Sequence, residues 1–324
     1  MTTLKAVLLA AATAMPFGAS AMTIDQFSSF WVLGDSLSDS GNLFAATSAD
    51  PDADPTPTSP PYFEGRFSNG PVWAERVADA FAAQGVPGGN VAFGGAEATP
   101  DTFGGSDDTD AIPDLAAQVG LVQQAVGGGA PLGERPLASV WFGANDIFGV
   151  FDGSDSGEVV EDALGDIADG FDALAALGFD DLLVFNLPDL GQTPLLFDTI
   201  SQEPATALTM QFNQGLAQLA SDAAQTVTLV DTAGLFDALI ADPSAFGVSD
   251  VRTPCLIPGE APCSPQEAAQ RAFFDAVHPN ATIHAVVADA ALGALAPIPL
   301  PAGGWLLLGG LAALGGLHTR ARRR

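Results

Sequence analysis

Lysine is almost missing from this chain. Lys5 is the only one, so the 275 residues from Met22 to Ala296 contain none. That absence excludes Schiff-base chemistry and a P-loop, which both need a lysine. Positive charge of any kind is scarce. Between Met22 and Ala296 five arginines (Arg66, Arg76, Arg135, Arg252, Arg271) face all 39 acids, a net charge of −34. Such a surface repels a phosphate backbone, so nucleic acid is not a partner. An acidic, lysine-free body also suits a salty medium. Histidine is limited to His278, His284 and His318, which disfavours metal sites built on several imidazoles. The two cysteines, Cys255 and Cys263, lie in one Pro-rich loop with too few other ligands for a metal.

The two ends differ from the middle. Residues 1–21 carry Lys5, an apolar run and Ala19-Ser20-Ala21, the layout of a signal peptide. Pro16 and Gly18 would break a core helix there. Residues 297–324 open with Pro297-Ile-Pro-Leu-Pro-Ala302 and continue through an apolar run to Leu317. They close on Arg320, Arg322, Arg323 and Arg324. Ile298–Leu317 matches the roughly 20 residues needed to cross a bilayer, and terminal arginines mark a cytoplasmic side. The expected division is a signal peptide at 1–21, one large domain at 22–296 and a membrane-anchoring tail at 297–324. The body is then exported to a periplasmic, cell-surface or extracellular place and held, at least transiently, by the tail. An oxidising compartment favours a Cys255–Cys263 disulfide over two free thiols.

Within the domain, short apolar runs alternate with amphipathic stretches. The runs are Ser29–Gly34, Asn90–Gly94, Leu137–Gly143, Asp181–Leu187 and Thr226–Asp231. Helical patterns occupy Val72–Gln84, Ile112–Val126, Glu158–Leu177, Pro204–Ala224, Pro265–Ala276 and Thr282–Leu295. This alternation predicts an α/β protein with a parallel sheet covered on both faces. Thr47–Pro61 and Thr99–Asp114 read as acidic loops, and neither has the acid spacing of an EF-hand.

His318 lies in the tail, so an active imidazole must be His278 or His284. His284 falls inside a helical pattern, as a structural histidine would. His278 stands in Asp275-Ala-Val-His278-Pro279. A residue before proline leaves helical geometry, which predicts a helix ending near His278 at the sheet rim. Asp275 is close enough to accept a hydrogen bond from Nδ1–H and orient the ring. The nucleophile is sought where sites form in open parallel sheets, beyond a strand's carboxyl end. The first strand runs into Gly34-Asp-Ser36-Leu-Ser-Asp39, which puts Ser36 there. A bare G-D-S also suits a turn with a capping serine. No serine occupies a G-x-S-x-G elbow, which disfavours an ordinary α/β-hydrolase.

Gly34-Asp-Ser36-Leu-Ser-Asp39 resembles the first block of the GDSL lipase and esterase family, the SGNH hydrolases. Asn90-Val-Ala-Phe-Gly-Gly95 resembles the second block, Gly143-Ala-Asn145-Asp146 the third, and Asp275-Ala-Val-His278 the last. Phe67-Ser-Asn-Gly70 and Asn186-Leu-Pro-Asp-Leu-Gly191 also resemble lipase-like members. The resemblance covers about Phe30 to Ala290. It implies a flavodoxin-like α/β/α sandwich of about five parallel strands, with no metal or organic cofactor. It further implies Ser36 as nucleophile, His278 as base and Asp275 as its partner. The oxyanion hole would comprise Ser36, Gly95 and Asn145. The implied function is hydrolysis of small-molecule, lipid or glycan esters. Alternatives are a polysaccharide acetylesterase and a non-catalytic surface or matrix protein on the same scaffold. Phe44, Phe148 and Phe151 are candidates to line an acyl groove. The tail is similar to the PEP-CTERM type of bacterial sorting signal in its Pro-Leu-Pro-Ala variant, which implies a sorting protease as partner.

Overall fold

Five buried or edge strands set the frame of a computed structural model that describes residues 24–99, 112–152 and 158–296. The expected signal peptide (1–21) and tail (297–324) lie outside the described residues. Ile24–Leu295 forms one compact unit. Among the described residues no helix is long and apolar enough to cross a membrane.

The strands are β1 (Ser29–Gly34), β2 (Gly88–Asn90), β3 (Pro136–Trp141), β4 (Asp181–Phe185) and β5 (Thr226–Val230). They form one sheet in the order β2-β1-β3-β4-β5, and every pair is parallel. β1, β3 and β4 are buried along their whole length, as continuous apolar runs in a covered sheet should be. The edge strands β2 and β5 are the less buried ones. The helices are α1 (Asn42–Ala49), α2 (Trp73–Ala83), α3 (Leu115–Gly127), α4 (Ala144–Asp152), α5 (Val159–Leu177), α6 (Gln202–Asp222), α7 (Thr232–Ala241), α8 (Pro265–Ala268) and α9 (Ala281–Leu295). α2 packs with α9 on one face of the sheet. α3, α5 and α6 pack in a row on the other. The result is the expected three-layer α/β/α sandwich. Trp141 stacks on Phe185 at 4.7 Å between centroids, and Trp73 of α2 closes on Phe185 at 4.3 Å. This aromatic cluster locks α2 onto the centre of the sheet.

Two expected elements differ. The second strand ends at Asn90 rather than beginning there. Asn90 Oδ1 accepts Ala92 N–H at 2.9 Å and its amide donates to Ser38 O at 2.8 Å. This local side-chain bonding bends the chain out of the ladder. Phe93 N–H still reaches Gly34 O at 3.1 Å. The helix expected over Pro265–Ala276 stops at Ala268, although Ser264 and Glu267 cap its start reciprocally. Downstream backbone is captured by other partners. Asn280 Nδ2 bonds the carbonyls of Ala268 and Arg271, Ala272 N–H donates to Asp250 O, and Phe273 bridges Pro279. Asp275 to His278 therefore sits on a tight loop and not at a helix end.

Candidate active site

β1 and β3 lie side by side, but their chains depart to opposite flanks of the sheet: β1's other neighbour is β2, and β3's is β4. Ligands of open α/β sheets bind at such a switch point. The turn after β1 and the turn after β3 meet there.

Gly34 ends β1 in a crowded place. A Cβ would lie 2.8 Å from Ser38 Oγ and 3.0 Å from Trp141 O. Buried Gln118 binds both its N–H and its C=O at 2.9 Å. The next turn is held from within: Asp35 Oδ1 accepts Leu37 N–H, and Asp35 O accepts Ser38 and Asp39 N–H. Ser36 is thereby fixed, 7% exposed, at the mouth of the sheet.

Three side chains form a line. Ser36 Oγ is 2.7 Å from His278 Nε2, and His278 Nδ1 is 2.7 Å from Asp275 Oδ2. A carboxylate only accepts, so Nδ1 carries the proton and Nε2 is left to receive one from Ser36. Asp275 Oδ1 takes the N–H groups of Val277 and His278 at 2.9 and 2.7 Å. The Tyr62 hydroxyl adds a bond to Oδ2 at 2.6 Å. Phe67 packs beside the His278 ring with centroids 5.0 Å apart. Ser68 Oγ donates to Pro279 O, and Asn69 Oδ1 accepts Ala281 N–H. The Phe67–Gly70 motif thus buttresses the histidine loop.

Burial and charge compete here. Burial pushes Asp275 up, but His278, Tyr62 and the backbone N–H groups overcome it and hold the carboxyl at about 2. Burial pulls His278 down, yet the charges of Asp275 and Asp35 and the Asp275 bond leave it raised. Burial pushes Asp35, wholly enclosed beneath Ser36, up to about 7.

Gly95 lies on the loop after β2, and Asn145 lies in the first turn of α4. Gly94 N–H donates to Asp39 Oδ2 at 2.8 Å, and Asn145 Nδ2 donates to Ala96 O at 2.8 Å. Gly95, at φ +81°, is strapped between these two anchors in a conformation that suits glycine. One Asn145 N–H is spent on Ala96, and the amide's second remains for another acceptor. Asn145 lines one pocket with Ser36 and His278. The other walls are mainly apolar and include Phe148, Phe236, Ile240 and Phe273. Asp189 and Gln192 add polar edges, and the free volume is about 50 Å³. Of the three phenylalanines expected at an acyl groove, only Phe148 lines this pocket. Phe44 lies over Gly65, and Phe151 packs on the main core.

His284 is elsewhere. It is 1% exposed, its Nδ1 accepts Trp73 N–H at 3.3 Å, and burial lowers it to about 3. His318 lies outside the described residues. Cys255 and Cys263 form a disulfide with Cα atoms 4.9 Å apart. Among the described residues no cluster of His, Cys, Asp or Glu is arranged to hold a metal. Tyr62 and Asp39 are the participants that the sequence reading did not single out. The Asp39 signal was present, since it closes the Gly34–Asp39 motif. Tyr62 gave none.

The family model for GDSL-like lipase/acylhydrolase matches residues 31–291. The chain belongs to this family, a class of carboxylic ester hydrolases. It is 33% identical over 233 residues to the phosphatidylcholine-sterol acyltransferase of Aeromonas hydrophila, covering 71% of this chain and 65% of that one. It is 28% identical over 292 residues to the thermolabile hemolysin of Vibrio parahaemolyticus, covering 83% and 64%. The chain thus spans just under two thirds of the length of these relatives. Among solved structures, an acetylxylan esterase from Geobacillus stearothermophilus is a distant likeness, with a TM-score of 0.48, 14% identity and coverage of 83% and 94%.

Proposed function

We propose that this chain is a serine esterase that cleaves carboxylic esters through an acyl-enzyme on Ser36. The observation that carries this reading is the unbroken Ser36–His278–Asp275 hydrogen-bond line. His278 takes the Ser36 proton as Oγ attacks the ester carbonyl. The tetrahedral oxyanion is met by the N–H groups of Ser36 and Gly95 and by the Asn145 amide. The C–O bond to the alcohol breaks, and His278 returns the proton to the leaving oxygen. Water then adds with its proton passing to His278. Ser36 leaves with that proton, and the acid is released. Asp275 stays ionised and stabilises the imidazolium.

The apolar pocket supports an apolar acyl group. Phe148, Phe236, Ile240 and Phe273 wall the pocket beside Ser36, so an acyl group short enough to sit among them is the better fit. Exposed Leu195, Phe197 and Ile200 lie on a segment bonded to the site loop through Leu195 N–H and Ala276 O at 2.9 Å. They give an apolar alcohol group or a lipid surface something to lie on. The acyl transfer named for the Aeromonas relative fits the same intermediate, with an alcohol in place of water. Polysaccharide acetyl esters are the rival, favoured by polar Asp189 and Gln192 at the pocket edge. Hydrolysis of p-nitrophenyl acetate, butyrate and palmitate, beside release of acetate from acetylated xylan, separates these readings. Short-chain aryl esters should be cleaved fastest. Best activity on palmitate, or on xylan alone, would contradict the proposal. No hydrolysis of any ester by folded protein would leave the non-catalytic matrix role.

The same reading keeps residues 1–21 as a signal peptide, 22–296 as the hydrolase domain and 297–324 as a sorting tail cut by a membrane protease. The disulfide supports an exported body. Mass spectrometry of the protein recovered outside the cytoplasm should find Met22 at its N-terminus. An intact residue 1 there would contradict export by this route.

A further inference from the structure

Tyr62 is the only tyrosine in the chain, and it ends at the acid of the site. Its hydroxyl donates to Asp275 Oδ2 across 213 residues of sequence. That oxygen also accepts His278 Nδ1–H, while Oδ1 is held by two N–H groups of its own loop. Among the described residues, Tyr62 therefore supplies the one bond to the Asp275 carboxylate that comes from outside the Asp275–His278 segment.

The phenol is well braced. Ser59 Oγ donates to Tyr62 O at 2.7 Å, and Phe63 N–H donates to Ser68 O at 2.9 Å. The ring meets Phe274 edge-on with centroids 5.3 Å apart. It leans on a small apolar cluster of Cys255, Ala268 and Phe274, separate from the main core and closed by the Cys255–Cys263 disulfide. Leu256 N–H, inside the disulfide loop, donates to Phe274 O at 2.8 Å. The ring is only half-buried. A hydroxyl that merely needed a partner could turn to water, yet this one is aimed at a buried carboxylate.

We propose that Tyr62 is a positioning residue that fixes the Asp275 carboxylate and, through it, the orientation and basicity of His278. The inference rests on the proposed Ser36–His278 chemistry. A donor on Oδ2 draws charge away from the oxygen that faces the imidazole. Without it, Asp275 attracts the imidazolium more strongly, and His278 holds its proton to higher pH. The other charge that acts on His278 is Asp35, which favours the imidazolium, while His278 itself opposes a charge on the neighbouring His284. Asp146 acts on Asp35. None of them changes when the phenol is removed.

The test is Tyr62→Phe in the full chain, assayed on p-nitrophenyl butyrate across pH. The kcat should fall about tenfold with KM little changed, and the acidic limb of kcat/KM should move up by roughly half a pH unit. A lower kcat with an unmoved limb would mean simple loss of folding support and would overturn the proposal, as would wild-type kinetics. The second measurement leaves Tyr62 in place. Because it is the sole tyrosine, the tyrosinate ultraviolet band reports on it alone. Burial and the Asp275 charge both raise this phenol, so Asp275→Asn should let the band appear at lower pH. An unchanged titration would show that the contact is not made and would overturn the proposal even if Tyr62→Phe failed to fold. This readout does not depend on catalysis, so it separates a failure here from a failure of the esterase reading.

Discussion

Asp39 Oδ2 accepts the N–H of Gly94 at 2.8 Å, joining the turn that carries Ser36 to the loop that carries Gly95. Asp39 is fully buried and also takes the N–H groups of Gly41, Asn42 and Leu43 at 2.7, 2.6 and 3.2 Å. One carboxylate thus starts α1 and sets the distance between two proposed oxyanion donors.

Asp39→Ala should unfold at markedly lower urea concentration. It strands the buried Gly94 N–H and three part-buried N–H groups at the start of α1, and a buried donor costs on the order of 1–3 kcal/mol when unpaired. Relaxation and water entry lower the sum, so a loss of about 3–5 kcal/mol is expected. Residual activity in the folded fraction should drop as well, since Gly95 loses its anchor. Wild-type stability in this variant would show that Asp39 is not the link described.

Asn145→Ala removes one proposed oxyanion donor. Loss of such a donor typically costs about 10²–10³ in kcat. The KM should change little, because the donor acts on charge that develops after binding. An effect confined to KM would reassign Asn145 to substrate binding.

In the proposed mechanism His278 must be neutral to act as base, and this sets the expected pH dependence of activity. Its pKa is raised above the usual histidine value of about 6.5. Activity should therefore be full at alkaline pH and fall as pH drops through a value above that. Asp275→Asn removes the main charge that holds the proton, so it should lower the limb while cutting kcat by orders of magnitude. That shift is opposite in sign to the one expected of Tyr62→Phe. A limb that stays in place in Asp275→Asn would contradict the pairing.

His284 ties stability to pH in a separate way. Its folded pKa is lowered to about 3 by burial, against about 6.5 unfolded. Above pH 6.5 neither state is protonated and nothing is lost. As pH falls from there toward 3, the unfolded chain binds a proton that the folded chain refuses, so stability declines by up to about 1.4 kcal/mol per pH unit. Asp35, raised to about 7, has the opposite slope, with stability falling as pH rises from about 4 to 7. Comparing wild type with His284→Gln by urea unfolding at pH 7 and pH 5 isolates the histidine. The variant should lose roughly 2 kcal/mol less than wild type over that interval.

The sheet was legible because β1, β4 and β5 are short apolar runs between helical periods. The helices α2, α5, α6 and α9 also announced themselves by period. β2 was placed too late because Gly88-Gly-Asn90 has no strand composition, and its pairing is imposed by β1. The helix after Ser264 was read too long because capping describes only its start. Its end is decided by Asn280 and Asp250, far along the chain or on another loop. α4 and α7 are short helices that follow the third and fifth strands and were not drawn as elements. Ser36 and His278 could be named from residue scarcity and motif order, since three histidines leave few choices. Tyr62 could not, because a contact across 213 residues in a Pro-rich loop leaves no periodic trace.

If Ser36 carries the acyl group, the full chain and Ser36→Ala must differ sharply on p-nitrophenyl butyrate in low and high salt. The wild type should turn over steadily, and the variant should lose at least about 10³-fold with unchanged thermal unfolding. Turnover that survives in a folded Ser36→Ala protein would contradict that role of Ser36 and place the nucleophile elsewhere.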